Sequence, residues 1–144
     1  MHLYKGERAI EELSLEVLRL ELLELSILFI LKILSNFLIK SQREVLCPFL
    51  LEKTNYLESC VLLLSLATHD PYFLKVAGLR KELIRGVAVL SFEYLPAQNR
   101  ARELGVLSLI AKQLEWDPMN QYIREWSIFA FRILEYNYQG TLES

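Results

Sequence analysis

The 144-residue chain has few of the residues that break helices or cross-link a fold: five glycines, four prolines and two cysteines. Because glycine and proline are scarce, long stretches can form uninterrupted helix. Cys47 and Cys60 are not spaced as a CxxC pair, and both histidines lie far from them in sequence. We interpret the two cysteines as reduced thiols that fill apolar space in a cytosolic protein, an interpretation that leaves a disulfide open.

The chain also lacks a large excess of positive or negative residues. Sixteen lysines and arginines against eighteen acidic residues give a formal net charge of −2, and the pI is about 5.8. The chain therefore lacks the basic footprint that nucleic-acid binding requires. It also lacks the polybasic cluster that would hold it to an anionic membrane surface. We therefore expect no nucleic acid among its partners.

No catalytic signature is present among those that can be recognised by spacing: the glycine-rich phosphate loops, the HExxH zinc motif and the GxSxG elbow. The acidic pairs Glu11–Glu12 and Glu21–Glu24 fall in a charged stretch and are interpreted as a solvated helix face. His69 precedes Asp-Pro at a helix end and is interpreted as a capping or surface residue. We predict a protein that is not an enzyme, with no catalytic residue, metal or cofactor.

Apolar residues, by contrast, are abundant and make up 53% of the chain. This composition favours helices that contact other helices on more than one face. We predict one all-helical domain over 1–144, with the nearly all-apolar segment 57–67 at its centre. The first segment should be two helices or one bent helix, with the change near 19–24. The predicted helices are 7–40, 42–53, 57–67, 72–95, 97–104, 106–116 and 121–137, between a loose lead-in at 1–6 and a polar tail at 138–144.

The run LSILFILKILSNFLI at 25–39 invites a membrane interpretation. It has only 15 residues and contains Lys32 and Asn36, whereas a spanning helix needs about 20 predominantly apolar residues. It is also not preceded by the basic start of a signal peptide. We expect a buried core helix without membrane insertion. The same run motivates an alternative function, a helical subunit that self-associates and buries this helix in an oligomer.

A weak repeat is visible at four helix ends, which carry Leu34, Leu64, Leu90 and Leu134 at spacings of 30, 26 and 44 residues. The last spacing fits the ~40–47 residues of armadillo and HEAT units, and the other two are short. Between Leu90 and Leu134 the order is short helix, middle helix and long helix, as in one armadillo unit. We predict an armadillo-like helical repeat. A compact helical bundle is the alternative.

Residues 81–137 carry a family resemblance in short motifs. These are KELIR at 81–85, QN at 98–99, RELG at 102–105, DP at 117–118, IREW at 123–126, IFA at 128–130 and Arg132. The stretch resembles the C-terminal domain of the ataxin-10 family, and the likeness is best over 75–138. Residues 7–74 are interpreted as diverged N-terminal helices.

The resemblance implies a cytoplasmic, armadillo-like interaction protein without known enzymatic activity, linked to cytokinesis and to cell growth and survival. One departure concerns peptide binding. Armadillo grooves commonly present an asparagine near the end of each long helix, and its amide can hold the backbone of a bound peptide. This chain has Ile33, Leu63, Val89 and Ile133 at those places. We therefore expect binding by a side-chain surface rather than by gripping an extended backbone.

The candidate partner-binding residues lie on the predicted long helices of the family-like stretch. Four are cations that could form a mixed-charge groove for an acidic or amphipathic partner. The fifth is an aromatic residue that could anchor a partner. The set is Lys81, Arg85, Arg124, Trp126 and Arg132.

Overall fold

The computed structural model describes residues 2–40, 42–70, 76–115 and 117–143, with side chains described from 6 to 135 within those ranges. These residues form helices and turns without a strand, so the predicted all-α class is confirmed. The helices are α1 (His2–Lys40), α2 (Arg43–Lys53), α3 (Tyr56–His69), α4 (Leu79–Ser91), α5 (Leu95–Glu103), α6 (Val106–Ala111) and α7 (Ile123–Glu143).

Helix α4 is the centre of the fold. It packs against α1, α3, α5 and α7, and ten of its thirteen residues are buried. The prediction that 57–67 would be central is wrong, because Leu62 and Leu66 on α3 are exposed to solvent. Composition misled the prediction, since α3 has more apolar residues but its neighbours bury only five of its fourteen residues.

The predicted segment 72–95 is shorter in the structure. Residues 71–75 lie outside the described residues, and α4 begins after Gly78 and ends at Ser91. Pro96 was expected to end this helix, but it lies in the first turn of α5. Proline is favoured in a first turn because the backbone N–H that it lacks has no partner within the helix there.

Helix α1 is one continuous element of 39 residues. The prediction of two separate helices with a change near 19–24 is therefore wrong, and so is the loose lead-in over residues 2–6. The physical reason is plain in the sequence: between Glu7 and Lys40 there is no glycine or proline to break the helix. The polar Glu24, which interrupts the apolar stripe, costs little helix propensity.

Only one face of α1 reaches the core. Leu28, Leu31, Ser35 and Leu38 are buried, whereas residues 6–23 are exposed throughout. We expected residues 25–39 to form a buried core helix. One face of this segment is buried as expected, and the other face is exposed to solvent. By length and composition, residues 6–40 could cross a membrane, and 22% of the most apolar window is buried within the protein.

The C-terminal helices differ from prediction mainly at their ends. Helix α6 stops at Ala111 rather than at 116, so the predicted stripe residue Leu114 is exposed outside it. Helix α7 continues to Glu143, where a polar tail was expected from 138. The predicted inner stripe of α7 is confirmed for Ile123, Ser127, Ala130 and Leu134, which are all buried.

Gly105 ends α5 as predicted. Its φ of 77° lies in the left-handed region, which a residue without Cβ adopts at little cost, and Val106 then begins α6. The order α5, α6, α7 matches that expected for one armadillo unit. Helix α4 packs against three of the longer helices, α1, α3 and α7. These contacts suit a solenoid and a bundle alike, so the armadillo-like repeat stays a prediction.

Candidate protein-interaction surface

A row of two arginines and three aromatic rings crosses from α4 to α2 by way of α7. The Arg85 guanidinium lies 5.5 Å from the Trp126 ring centroid, and Trp126 meets Phe129 edge to face at 5.7 Å. Phe129 is 6.1 Å from Phe92, and the Arg43 guanidinium lies 5.7 Å from the Phe92 centroid. Ring pairs at these separations attract each other, as do cations over ring faces. We call Arg85, Trp126, Phe129, Phe92 and Arg43 the Arg–aromatic row.

The Arg85 end of the row is fixed by contacts within the chain. Its guanidinium donates to Glu82 Oε2 at 3.1 Å and to Asn36 Oδ1 of α1 at 2.7 Å. Because it also lies over Trp126 of α7, this one side chain connects the three long helices. Its guanidinium is planar with several donors, so it can make these contacts simultaneously.

Glu82 carries the negative charge at this end of the row. Its side chain is 2% exposed, and it pairs with Lys81 Nζ at 2.7 Å as well as with Arg85. A buried carboxylate is costly unless it is paired, and here two cations face one anion. Lys81 and Arg85 are therefore held by the protein itself, with one positive charge in excess for a partner to meet.

Arg43 fixes the other end of the row and was missed by sequence reasoning. It donates to the carbonyl oxygens of Val89 at 2.6 Å and Leu38 at 3.3 Å, and also to that of Phe92. These carbonyls belong to the C-terminal ends of α1 and α4, where helices leave oxygens without backbone partners and carry partial negative charge. The only signal in the sequence was a basic residue directly after a helix end.

The rings in the middle of the row are accessible. Phe92 and Phe129 are exposed. Trp126 is half-buried, so it both packs against the protein and presents part of its ring to solvent. Sequence reasoning found Trp126 but not the two phenylalanines. Phe92 follows the end of α4 and Phe129 lies on the outer side of α7, positions that the sequence pattern does not mark as functional.

Arg124 and Arg132 do not join the row. Both are exposed on α7, but at 100° per residue Arg124 points about 160° away from Trp126 around the helix, and Arg132 about 120°. The structure thus brings together Lys81, Arg85 and Trp126 of the five predicted residues and separates the other two.

A turn before α7 sets the position of Trp126. Arg80 pairs with Asp117, and Asn120 Oδ1 accepts a hydrogen bond at 3.2 Å from the backbone N–H of Lys81 in the first turn of α4. The backbone N–H of Gly78 donates to the Met119 carbonyl at 2.9 Å. These bonds tie the start of α7 to the start of α4. The DP motif therefore has a structural role.

The four apolar residues at the asparagine positions are not equally available. Val89 is buried, Leu63 and Ile133 are half-buried, and Ile33 is exposed. Ile33 shares a face of α1 with Asn36, three residues on, and Asn36 contacts Arg85. An apolar face of α1 therefore continues beside the Arg85 end of the row.

Both cysteines are unsuited to nucleophilic chemistry. Burial raises the pKa of the Cys60 thiol to about 12, although the neighbouring Tyr56 hydroxyl lowers it slightly. Burial also raises the pKa of Cys47, against a smaller opposing effect of Arg43. Both thiols are free, as predicted, and a protonated thiol is a poor nucleophile.

The fold and this surface define an all-α protein whose paired arginines tie its helices together. Within the described ranges no group of His, Cys, Asp and Glu side chains could hold a metal ion. Residues 79–140 match the family model of the spinocerebellar ataxia type 10 protein domain. The resemblance to the ataxin-10 family that the motifs carry is therefore confirmed over residues 79–140.

Two curated relatives support the same assignment. An ataxin-10 homolog of Dictyostelium discoideum is 42% identical over 57 residues, which are 40% of this chain and 9% of that protein. One of Schizosaccharomyces pombe is 32% identical over 62 residues, 43% of this chain and 14% of the relative. The alignments thus span a small part of either relative. No solved structure matches the chain.

Proposed function

We propose that this chain is a non-enzymatic protein-interaction scaffold of the ataxin-10 type, built as an armadillo-like helical unit. The observation that carries the proposal is the Arg–aromatic row. Arginine and aromatic residues supply most of the binding energy at protein interfaces, particularly where they form a connected patch. An exposed row whose ends are fixed by hydrogen bonds loses little side-chain entropy when a partner binds.

The row also suggests how a partner binds. Apolar side chains of the partner pack on Phe92 and Phe129, and a carboxylate meets the excess positive charge of Lys81 and Arg85. The backbone of the partner need not be gripped, since apolar residues stand at the asparagine positions of this chain. Following the family resemblance, we also propose a cytoplasmic location and a role in cytokinesis or in cell growth and survival.

The test uses the exposed rings, because charge reversal of Arg85 would place a second negative charge beside the buried Glu82. The paired variant Phe92→Ala and Phe129→Ala should weaken binding at least tenfold, as measured by calorimetry with a purified partner first captured from cytosol. The matched control is Arg124→Ala with Glu135→Ala on the far side of α7, which should stay within twofold of the unmodified chain. Equal binding by both variants would place the interface elsewhere.

A further inference from the structure

Helix α1 presents an apolar ridge on the side that faces away from the core. Its members recur every three or four residues, and at 100° per residue they fall within an arc of about 120°. Each is between 40% and 63% exposed, whereas Leu31 and Leu38 on the opposite side are buried. We call this set the outer ridge: Leu22, Leu25, Phe29, Ile33 and Phe37.

The outer ridge is large enough to be an interaction site. At 1.5 Å per residue it extends over about 22 Å of the helix. Half-exposed leucine, isoleucine and phenylalanine side chains present roughly 100 Å² each, so the ridge offers on the order of 500 Å² of apolar surface. A contiguous patch of this size is commonly functional and marks contact with a protein or a membrane.

The two polar side chains on this face already have partners within the protein. The Ser26 hydroxyl donates to the Leu22 carbonyl oxygen at 2.8 Å, and Asn36 Oδ1 accepts from Arg85 at 2.7 Å. The Ser26 hydroxyl can therefore enter an apolar medium without losing a hydrogen bond. A typical protein interface makes about one hydrogen bond per 100–200 Å², and this face offers little to form them. Its chemistry suits lipid better than a protein.

The charges of α1 are divided along its length. All six of its glutamates fall between residues 7 and 24, whereas residues 25–40 contain Lys32 and Lys40 and no acidic residue. Both lysines are exposed. Lys40 lies in line with the outer ridge three residues beyond Phe37, and Lys32 flanks it. Lysines in these positions can lay their stems along lipid and keep their ammonium groups at the level of the phosphates. Cations beside an apolar face complement anionic headgroups.

We propose that the outer ridge binds the surface of a lipid bilayer that contains anionic lipids, with α1 lying in the plane of the interface. The ridge side chains enter the boundary between headgroups and acyl chains, to a depth of about 5–10 Å, and Lys32 and Lys40 contact the phosphates. Most of the affinity comes from the apolar ridge, since two lysines do not form a polybasic cluster. This inference goes beyond the proposed function, because the ridge shares no residue with the Arg–aromatic row.

The helix contacts the bilayer without crossing it. Residues 6–40 are long and apolar enough to span, but Leu28, Leu31 and Leu38 are buried in the core, and α4 is the helix that α1 chiefly packs against. Moving α1 across a bilayer would uncover that core. It would also carry charged residues of the N-terminal half out of water, which is costly. Contact through the outer ridge alone leaves both undisturbed.

Flotation of the full chain with vesicles of phosphatidylcholine and phosphatidylserine tests the proposal. The unmodified chain should float with the vesicles. Phe29→Glu with Ile33→Glu should weaken binding at least about tenfold and leave the helical circular dichroism unchanged, because both positions are exposed. The control is Leu13→Glu with Leu20→Glu, which adds the same charge at exposed positions on the opposite side of α1 and should stay within about twofold. An unmodified chain that does not float, or an equal loss in the control, would overturn the proposal.

The lysines are tested by comparing lipids. Lys32→Ala with Lys40→Ala should weaken binding to the vesicles with phosphatidylserine by roughly tenfold and change binding to pure phosphatidylcholine little, because only the anionic headgroups attract them. Equal losses on both kinds of vesicle would refute the assigned role of the lysines.

A polarity-sensitive dye shows which side of α1 meets the bilayer. The dye is attached to Ile33→Cys or, as the control, to Leu13→Cys, and Cys47 and Cys60 are buried and should not react. Vesicles should brighten the dye at position 33 and leave that at position 13 unchanged. Equal brightening at both would refute the orientation. A dye at position 33 that is already bright without vesicles would show that protein covers the ridge, and would overturn the proposal.

Discussion

Helices α3 and α4 lie against each other, and in both the extent of burial differs from what their apolar content suggests. Helix α3, YLESCVLLLSLATH, has nine apolar residues among its fourteen, yet Leu62 on its outer face is 60% exposed. Helix α4, LRKELIRGVAVLS, has four charged residues in its first seven, yet ten of its thirteen residues are buried. Apolar content therefore does not identify the central helix of this protein.

The difference arises from what each helix has beside it. Helix α4 has neighbours on several sides, and its charges are paired: Glu82 with Lys81 and Arg85 of the same helix, and Arg80 with Asp117 of the turn before α7. The buried charge, Glu82, thus has its partners within one turn. Helix α3 buries one stripe and presents the other to solvent. A charge can be placed in a core when its partner is one turn away or closer, because the pair needs no distant group.

Truncating one leucine on each helix should show the difference between α3 and α4 most clearly. Leu83→Ala on α4 removes a fully buried side chain and should lower the free energy of unfolding by about 2–5 kcal/mol, since it leaves a cavity. Leu62→Ala on α3 should change it by less than about 0.5 kcal/mol. Urea unfolding of both variants measures the difference, and equal losses would contradict the central position of α4.

The buried charge of α4 gives the next largest effect. Glu82→Gln should lower the free energy of unfolding by roughly 2–3 kcal/mol, less than a fully buried pair would, because Lys81 and Arg85 keep some contact with water. The exposed Glu125→Gln on α7 serves as the control and should be close to neutral. A neutral Glu82→Gln would mean that the carboxylate contributes nothing to the core.

A tight contact between α3 and α4 predicts a smaller effect, which depends on Tyr56. A Cβ on Gly86 would lie 2.7 Å from the Tyr56 hydroxyl oxygen. Gly86→Ala should therefore destabilise the protein by about 1 kcal/mol, because the clash exceeds the gain in helix propensity. In a Tyr56→Phe background the same change should become stabilising. Thermal unfolding of the four proteins as a double-mutant cycle measures the coupling, and additive effects would refute the contact.

The last effect is absent at neutral pH and appears only in alkaline solution. Burial raises the pKa of Cys60 on α3 from 9.0 to about 12, so the unfolded chain releases this proton more readily than the folded one. The stabilising contribution is complete below pH 9 and is lost as pH rises towards 12, at about 1.4 kcal/mol per pH unit. Cys60→Ala should show a correspondingly shallower alkaline loss in urea titrations. Identical slopes would place the thiol in contact with water.

Much of this architecture follows from local signals in the sequence. The all-α class, Gly105 after α5 and the inner stripe of α7 were predicted, and α3 ends two residues past the predicted 67, because breaks, caps and periodicity act over a few residues. Errors concentrate where distant packing decides. The sequence does not record that α4 would be enclosed, or that nothing would cover the first half of α1.

The interaction surface was predictable only in part for the same reason. Arg85 and Trp126 were found because they lie in recognisable family motifs. Phe92, Phe129 and Arg43 were missed because their roles depend on contacts between residues separated by more than thirty positions, which periodicity does not report. Arg124 was included because the sequence shows that it lies on α7. The sequence alone does not show which side of α7 faces α4.

The contacts of Arg43 affect how the C-terminal ends of α1 and α4 unfold locally. Its single side chain binds the carbonyl ends of both α1 and α4, two helices that are otherwise separate in sequence. Neither end can fray without leaving the guanidinium and the other end short of hydrogen bonds. Amide protons in the last turns of the two helices should consequently exchange with solvent as one cooperative unit rather than independently.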